Sequence, residues 1–238
     1  MRERIPLLAG LTLLALAVFF GAVSISHGIR ARSGGDVVTV TGSAKQRIVS
    51  DYVIWDVSVG AQSSTVPAAA DQAATWEKAV EAFLAKQGVL PAELTVQPIQ
   101  TQTLTASDTS NKVTGYEVDQ NLEVRSSRVA AITAVARASA KLVSSGVPIS
   151  AQPIQYIYTK LPALRPVLLA AAVRDAQHRG AVLLGAAGEK LGKLRGVDVG
   201  VFQVTSPNST SVDDYGEYDT STLDKDVTAV VNVTFALK

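Results

Sequence analysis

The chain of 238 residues has no cysteine, two histidines and one methionine. Without cysteine there is no disulfide, no thiolate nucleophile, no Fe–S cluster and no Cys-based zinc site. Two histidines leave little for a His-rich metal centre or a Ser-His-Asp triad. Charged residues make up 18%, below the roughly 25% usual in globular chains. With 22 basic and 21 acidic residues the net charge is +1, so no broad basic surface for nucleic acid is expected. What remains is 47% hydrophobic residues over a length ample for a buried core.

Those apolar residues are unevenly placed. From Ile5 to Ile25 (IPLLAGLTLLALAVFFGAVSI) no residue is charged. At about 1.5 Å per residue such a helix is about 31 Å long, the thickness of a hydrocarbon core. A buried soluble helix carries polar positions along one face, and here only Thr12 and Ser24 interrupt the run. A cleaved signal peptide has a shorter core, about 7–15 residues, and a small-x-small site. Gly21 to Ser26 offers no clean Ala-x-Ala. Residues 1–32 are therefore expected to be an uncleaved signal anchor with its flank, embedded in the lipid bilayer through residues 5–25. Cleavage to a soluble periplasmic protein is the alternative.

Arg2 and Arg4 precede the span and Arg30 and Arg32 follow it, a tied positive-inside count. The α-amino charge tips the balance toward an inside N-terminus, which exports the rest of the chain. Beyond residue 32 there are 18 basic and 20 acidic residues, a net of −2, with no electrostatic attraction to anionic lipid. Residues 33–36 read as a linker, and 37–238 as the ectodomain.

The ectodomain pattern is α+β. Val37 to Thr41 is a β-branched run ended by Gly42. In Tyr52 to Gln62, Val53, Trp55, Val57 and Val59 face one way and Asp56 and Ser58 the other. Ser63, Ser64 and Thr65 offer cap oxygens, and Pro67 suits a first turn. Ala69, Ala73, Trp76, Val80 and Phe83 then form a helical stripe stopped at Gly88. A strand is expected at Leu94 to Leu104, then a connection at Thr105–Thr114. Next, Tyr116, Val118, Leu122 and Val124 alternate with Glu117, Asp119, Asn121, Glu123 and Arg125, interrupted by Gln120. Ser126 and Ser127 are expected to cap a second helix with Val129, Ile132, Val135, Leu142 and Val143 inward, stopped at Gly146. A strand at Ile149 to Thr159 follows. A long third helix is predicted over Pro162 to Leu191, and strands over Val197 to Val201 and Val227 to Leu237. Ser206–Asp226 reads as an acidic surface loop, expected to be mobile.

Residues 52–104 and 116–159 look like an approximate repeat. Each unit places a Ser-Ser pair before its helix and a Gly-Val stop after it. Each then carries Gln-Pro-Ile-Gln, at Gln97–Gln100 and Gln152–Gln155. The physical reading is two split β-α-β units sharing or abutting antiparallel or mixed sheets.

Candidate chemistry is thin. His178, with Asp175 three residues before it, has the makings of a general base, but no nucleophile motif accompanies it, and a solvated helix face is the better reading. Asp213, Asp214, Glu217, Asp219, Asp224 and Asp226 match no EF-hand spacing. The glycines of GAAGEKLGKLRG (Gly185–Gly196) sit at the end of a helix, where a phosphate meets carbonyls rather than N–H groups. Asn208-Ser209-Thr210 is a sequon. Trp55 and Trp76 read as core. No catalytic, metal-ligating or cofactor-binding residue is assigned.

Five segments, taken in order, resemble the SIMPL domain family. They are Val38–Ala44 (VTVTGSA) with Asp51, Gly115–Val118 leading into Leu122–Val124, Ala172–Ala176 (AVRDA), Ala187–Leu194, and the closing Val227, Ala229, Val231, Val233 and Phe235. The chain departs from the family pattern at Ser50, where proline is common, and at Gly180, where alanine is usual. The resemblance implies an exported bacterial envelope protein of α+β fold without an assigned reaction, some relatives being periplasmic immunogenic or stress-associated. The expected protein is then a single-pass inner-membrane protein with a periplasmic ectodomain. It is non-catalytic and acts through self-assembly, as a homo-oligomer, or through a protein partner, without nucleic acid. A hydrolase or ligand-binding site in a cleft between the repeat units is the alternative. The strand at Val227–Leu237, free of Lys and Pro, is either central in its sheet or paired across a subunit boundary.

Overall fold

The structure, a computed structural model, describes residues 36–106, 112–210 and 215–238. The expected anchor with its flank at 1–32, residues 33–35 of the expected linker, and Asp213 and Asp214 lie outside the described residues. In chain order the elements are β1 (Val37–Val49), β2 (Tyr52–Ser63), α1 (Val66–Lys86), β3 (Leu94–Val96), β4 (Gln100–Thr105), β5 (Val113–Ser126), α2 (Val129–Ala138) and α3 (Ala140–Ser144). Then come β6 (Ile149–Ala151), β7 (Gln155–Ile157), α4 (Leu161–Ala186), β8 (Leu191–Val199), β9 (Gln203–Thr205) and β10 (Asp224–Leu237). The fold is α+β with antiparallel sheets and one long helix, α4. None of the described helices is long and apolar enough to cross a membrane. The described residues form two compact units, one of Ala44–Ala171 with Val201–Ala229, the other of residues 36–43 with Ala172–Gly200 and Val230–Lys238.

In the larger unit β2 and β5 pair antiparallel from Val53 opposite Ser126 to Ser63 opposite Tyr116. The sheet order is β3-β5-β2-β6, with β4 also on β5 and β7 also on β2. Since β2 and β3 are both antiparallel to β5, they run parallel to each other with β5 between them. Likewise β5 and β6 are split by β2. Each repeat thus sends its last lane to the other repeat's first strand, and the two interleave in one sheet.

The repeated Gln-Pro-Ile-Gln has the same task in both outer lanes. Val96 lies opposite Leu122 and Gln100 opposite Asp119, so the lane holds four steps against three on β5. Ala151 lies opposite Val57 and Gln155 opposite Ile54, again four against three. Each motif is a one-residue bulge that splits the single strand expected from the sequence. Before each proline, Gln97 N–H donates to Asn121 O (2.8 Å) and Gln152 N–H to Asp56 O (2.9 Å). Proline, lacking an N–H, is tolerated at such outer positions. Gln120, which broke the apolar alternation of β5, is buried, and its amide donates to the Gln97 carbonyl.

One face of this sheet carries the core. Val53, Trp55, Val57 and Val59 of β2 and Leu122 and Val124 of β5 pack with Val80 and Leu84 of α1 and Ile132 and Val135 of α2. Gly88 (φ 86°) and Gly146 (φ 88°) end the two helical stretches in the left-handed region that favours glycine. The second helix differs from its expectation. It starts after Arg128 rather than on the serines, and it breaks at Ser139, whose hydroxyl donates to Ala136 O (2.7 Å). The break turns Val143 outward, so that it is exposed rather than inward.

In the smaller unit the sheet order is β1-β10-β8, which makes the apolar closing strand central. Gly42 does not end β1. A Cβ there would stand 2.2 Å from Ala172 O and 2.5 Å from Ala176 N, so the glycine is where α4 crosses the strand. Helix α4 ends at Ala186, short of Leu191, and Gly188 (φ 83°) turns the chain into β8. Gly42→Ala is therefore expected to cost about 1–3 kcal/mol through overpacking against backbone that cannot yield. Gly196→Ala, with nothing within 4 Å of the added methyl, should cost much less. Denaturant titration of both variants checks the contrast.

Candidate functional site

The residue types that carry chemistry gather in three places. The first is the segment before β10. Its described part is held rather than mobile: Ser50 N–H donates to Leu223 O (2.9 Å), Tyr156 N–H to Thr220 O (2.7 Å) and Asp219 N–H to Val204 O (2.7 Å). Asp226 is buried and accepts from Arg47 Nε (2.9 Å) and Nη2 (3.1 Å), Lys45 Nζ (3.2 Å) and Asn208 N–H (3.1 Å). The Arg47 hydrogen bonds, above all, hold its carboxyl well below the ordinary range. Lys225 is fully buried, with its ammonium 3.4 Å from Asp219 Oδ2 and also donating to Thr222 O. Burial pushes this lysine down, with Asp219 opposing the shift. Burial would raise Asp219, but hydrogen bonds from Ser221 and Thr222 and the Lys225 charge outweigh it and leave the carboxyl lowered. Of the acids that invited a cation reading, Asp219 and Asp226 are thus engaged by cations of the chain itself. Among the described residues no three His, Asp or Glu gather to hold a metal ion.

The second place is α4. His178 is exposed and borders a shallow hollow of about 360 Å³ with Arg179, Val182 and Leu183. Asp175, the residue that would orient it, accepts instead from Ser43 N–H (2.8 Å) and Arg179 Nε (2.8 Å). These two contacts hold Asp175 below the ordinary range, the Ser43 hydrogen bond most strongly. A general-base role for His178 loses its orienting group.

The third is the outer face of β2 and β5, where Asp56 stands opposite Glu123. Burial, then the Glu123 charge, pushes Asp56 up, and burial, then Glu117, pushes Asp119 up. Arg125 binds Glu123 (2.5 Å) and Gln62 donates to Glu117 (3.0 Å). The alternative of a cleft between the repeat units finds β2 and β5 directly paired from Val53 opposite Ser126 to Ser63 opposite Tyr116.

Sequence reasoning missed Glu93, which ties the end of α1 to the start of α2. It accepts from Leu90 N–H (2.9 Å), Ser126 Oγ (2.5 Å) and Arg128 Nε (2.9 Å). Arg128 also donates to Gly88 O (2.9 Å). The Arg128 hydrogen bond is the main reason the Glu93 carboxyl lies at about 2. Ser126, expected as a helix cap, belongs to this cluster.

A family model described as SIMPL, protein of unknown function (DUF541), matches residues 38–235. The chain belongs to the SIMPL family. No curated protein matches it significantly. Seen in the fold, the SIMPL-like segments meet one another: VTVTGSA supplies Gly42 and Ser43, and AVRDA supplies the Ala172, Ala176 and Asp175 that touch them. Asp51 accepts from Thr159 N–H (2.7 Å) and Thr159 Oγ1 (2.9 Å). These segments fasten the fold.

Three substitutions test these contacts. Asp219→Ala strands a buried ammonium and should cost about 3–5 kcal/mol. Asp226→Ala should cost about 1–3 kcal/mol, because the side chains of Lys45 and Arg47 it leaves behind are 50% and 52% exposed. Glu93, depressed to about 2, stabilises the fold above the ordinary glutamate range and loses that contribution as pH falls toward 2. Glu93→Gln should accordingly be less stable than wild type near neutral pH, with the gap closing toward about pH 2. Denaturation midpoints across the acid range measure it.

Proposed function

We propose that this SIMPL protein is a membrane-anchored component of the cell envelope that acts by association, with itself or with a protein partner, rather than by catalysis. Residues 5–25 hold it in the inner membrane and the fold stands in the periplasm, in a setting of envelope stress. The observation that carries the association reading is β8, an outer strand exposed along most of its length. A sheet edge of this kind presents unpaired main-chain N–H and C=O groups together with apolar side chains, the usual means of joining another chain. The uncharged 21-residue run from Ile5 to Ile25 supports the anchor. Anchoring would confine all copies to one surface and raise their effective concentration.

N-terminal sequencing of the full chain recovered from membranes tests the anchor. The expected mature start is at Met1. A start between Ala22 and Ser33, with the protein in the soluble fraction, would replace it with a freely diffusing periplasmic form.

A further inference from the structure

Strand β8 lies at the end of its sheet, and among the described residues its strand partner is β10 alone. Its register places Val199 opposite Val231, Val197 opposite Val233 and Leu194 opposite Phe235. The step from Gly196 opposite Thr234 to Leu194 opposite Phe235 leaves Arg195 as an extra residue, a bulge. Without that bulge Leu194 would point to the opposite face from Val197. With it, all three apolar side chains of β8 fall on one face, beside the buried row Val231, Val233 and Phe235. Yet they are exposed, Leu194 by 53%, Val197 by 43% and Val199 by 50%. A row aligned with the core but left open is unfinished burial.

We propose that β8 pairs with β8 of a second copy, antiparallel about a two-fold axis between Arg195 and Gly196. The inference rests on the association reading above and names its surface. The choice of a second copy comes from charge and apolar pattern together. In this register Leu194 faces the partner's Val197 and Lys193 faces the partner's Asp198. Because a two-fold interface is isologous, each match occurs twice, giving two apolar pairs and two opposite-charge pairs. A second register shift of β8, between Leu194 and Leu191, brings Leu191 rather than Gly192 into step with the partner's Val199. Centring the pair on Asp198 instead would set two carboxylates against each other, a like-charge pairing that is disfavoured.

The test uses the full chain in detergent micelles, with protein mass measured by light scattering and the fold of each variant checked by circular dichroism. Wild type is expected as a dimer or a multiple of it. Asp198→Lys sets lysine against Lys193 twice and should weaken association by at least about tenfold. The double exchange, Lys193→Asp with Asp198→Lys, should restore it. Because the chain has no cysteine, Leu194→Cys with Val197→Cys should crosslink two copies under mild oxidation. An exchange that fails to rescue, or a cysteine pair that fails to crosslink an associated protein, overturns the β8 pairing and leaves the association reading standing. A mass of one chain for wild type at high micromolar concentration overturns both.

Discussion

The approach of a helix backbone to a strand, closer than a methyl group allows, governs the smaller unit. At Gly42 the carbonyl of Ala172 and the amide nitrogen of Ala176 occupy the space a side chain would need. Helix α4 can come so near because it presents Ala172, Ala176 and Gly180 at four-residue steps, a ridge with almost no width. The Asp175 carboxylate, next to that ridge, receives the Ser43 N–H. The close seat has a consequence for what is covered. The buried apolar groups of this unit lie on α4 itself, on β1 at Val40 and on β10 at Val231, Val233 and Phe235. A bulkier ridge would stand higher and wider. This narrow one leaves the aligned row of β8 open.

Much of the larger unit was legible in the sequence because its signals are local. The alternation of β2 and β5 identifies the buried face residue by residue, and Gly88 and Gly146 mark both helix ends. Gln-Pro-Ile-Gln occurs twice, and in the structure each copy forms the same bulge in an outer lane of the sheet. What periodicity does not contain is the interleaving. Whether two β-α-β units abut or share one sheet depends on long-range pairing of β2 with β5, and no local pattern encodes a partner.

The misreadings have a common physical origin. Gly42 looked like a strand terminator because a glycine without context signals freedom, whereas here it signals crowding by an element some 130 residues away. The start of β8 looked like the tail of a glycine-rich helix because its two register shifts destroy the two-residue period. Ser126 looked like a cap because serine often is one; its Oγ does accept an N–H, but that of Arg128, which precedes the helix, while its proton goes to Glu93. Lys225 was legible in principle. Extending the inward phase of Val227, Ala229 and Val231 back by two residues lands on it, and an inward lysine demands a buried carboxylate, which Asp219 supplies.

That internal pairing bears on function. Buried or half-buried charges tune reactivity when they converge on a space a substrate can enter. In this chain Lys225 pairs with Asp219, Asp226 with Lys45 and Arg47, and Glu93 with Arg128, so their shifted protonation serves the closure of the fold. Charges engaged in this way are poor reagents and good fasteners. The apolar row and main-chain groups of β8 are in the opposite condition: ordered by the sheet, aligned with its core, and exposed. An ordered edge loses little conformational entropy when it joins another strand. The fold thus fixes these charges inward and leaves an ordered apolar edge at its rim, the contrast on which the proposal of association rests.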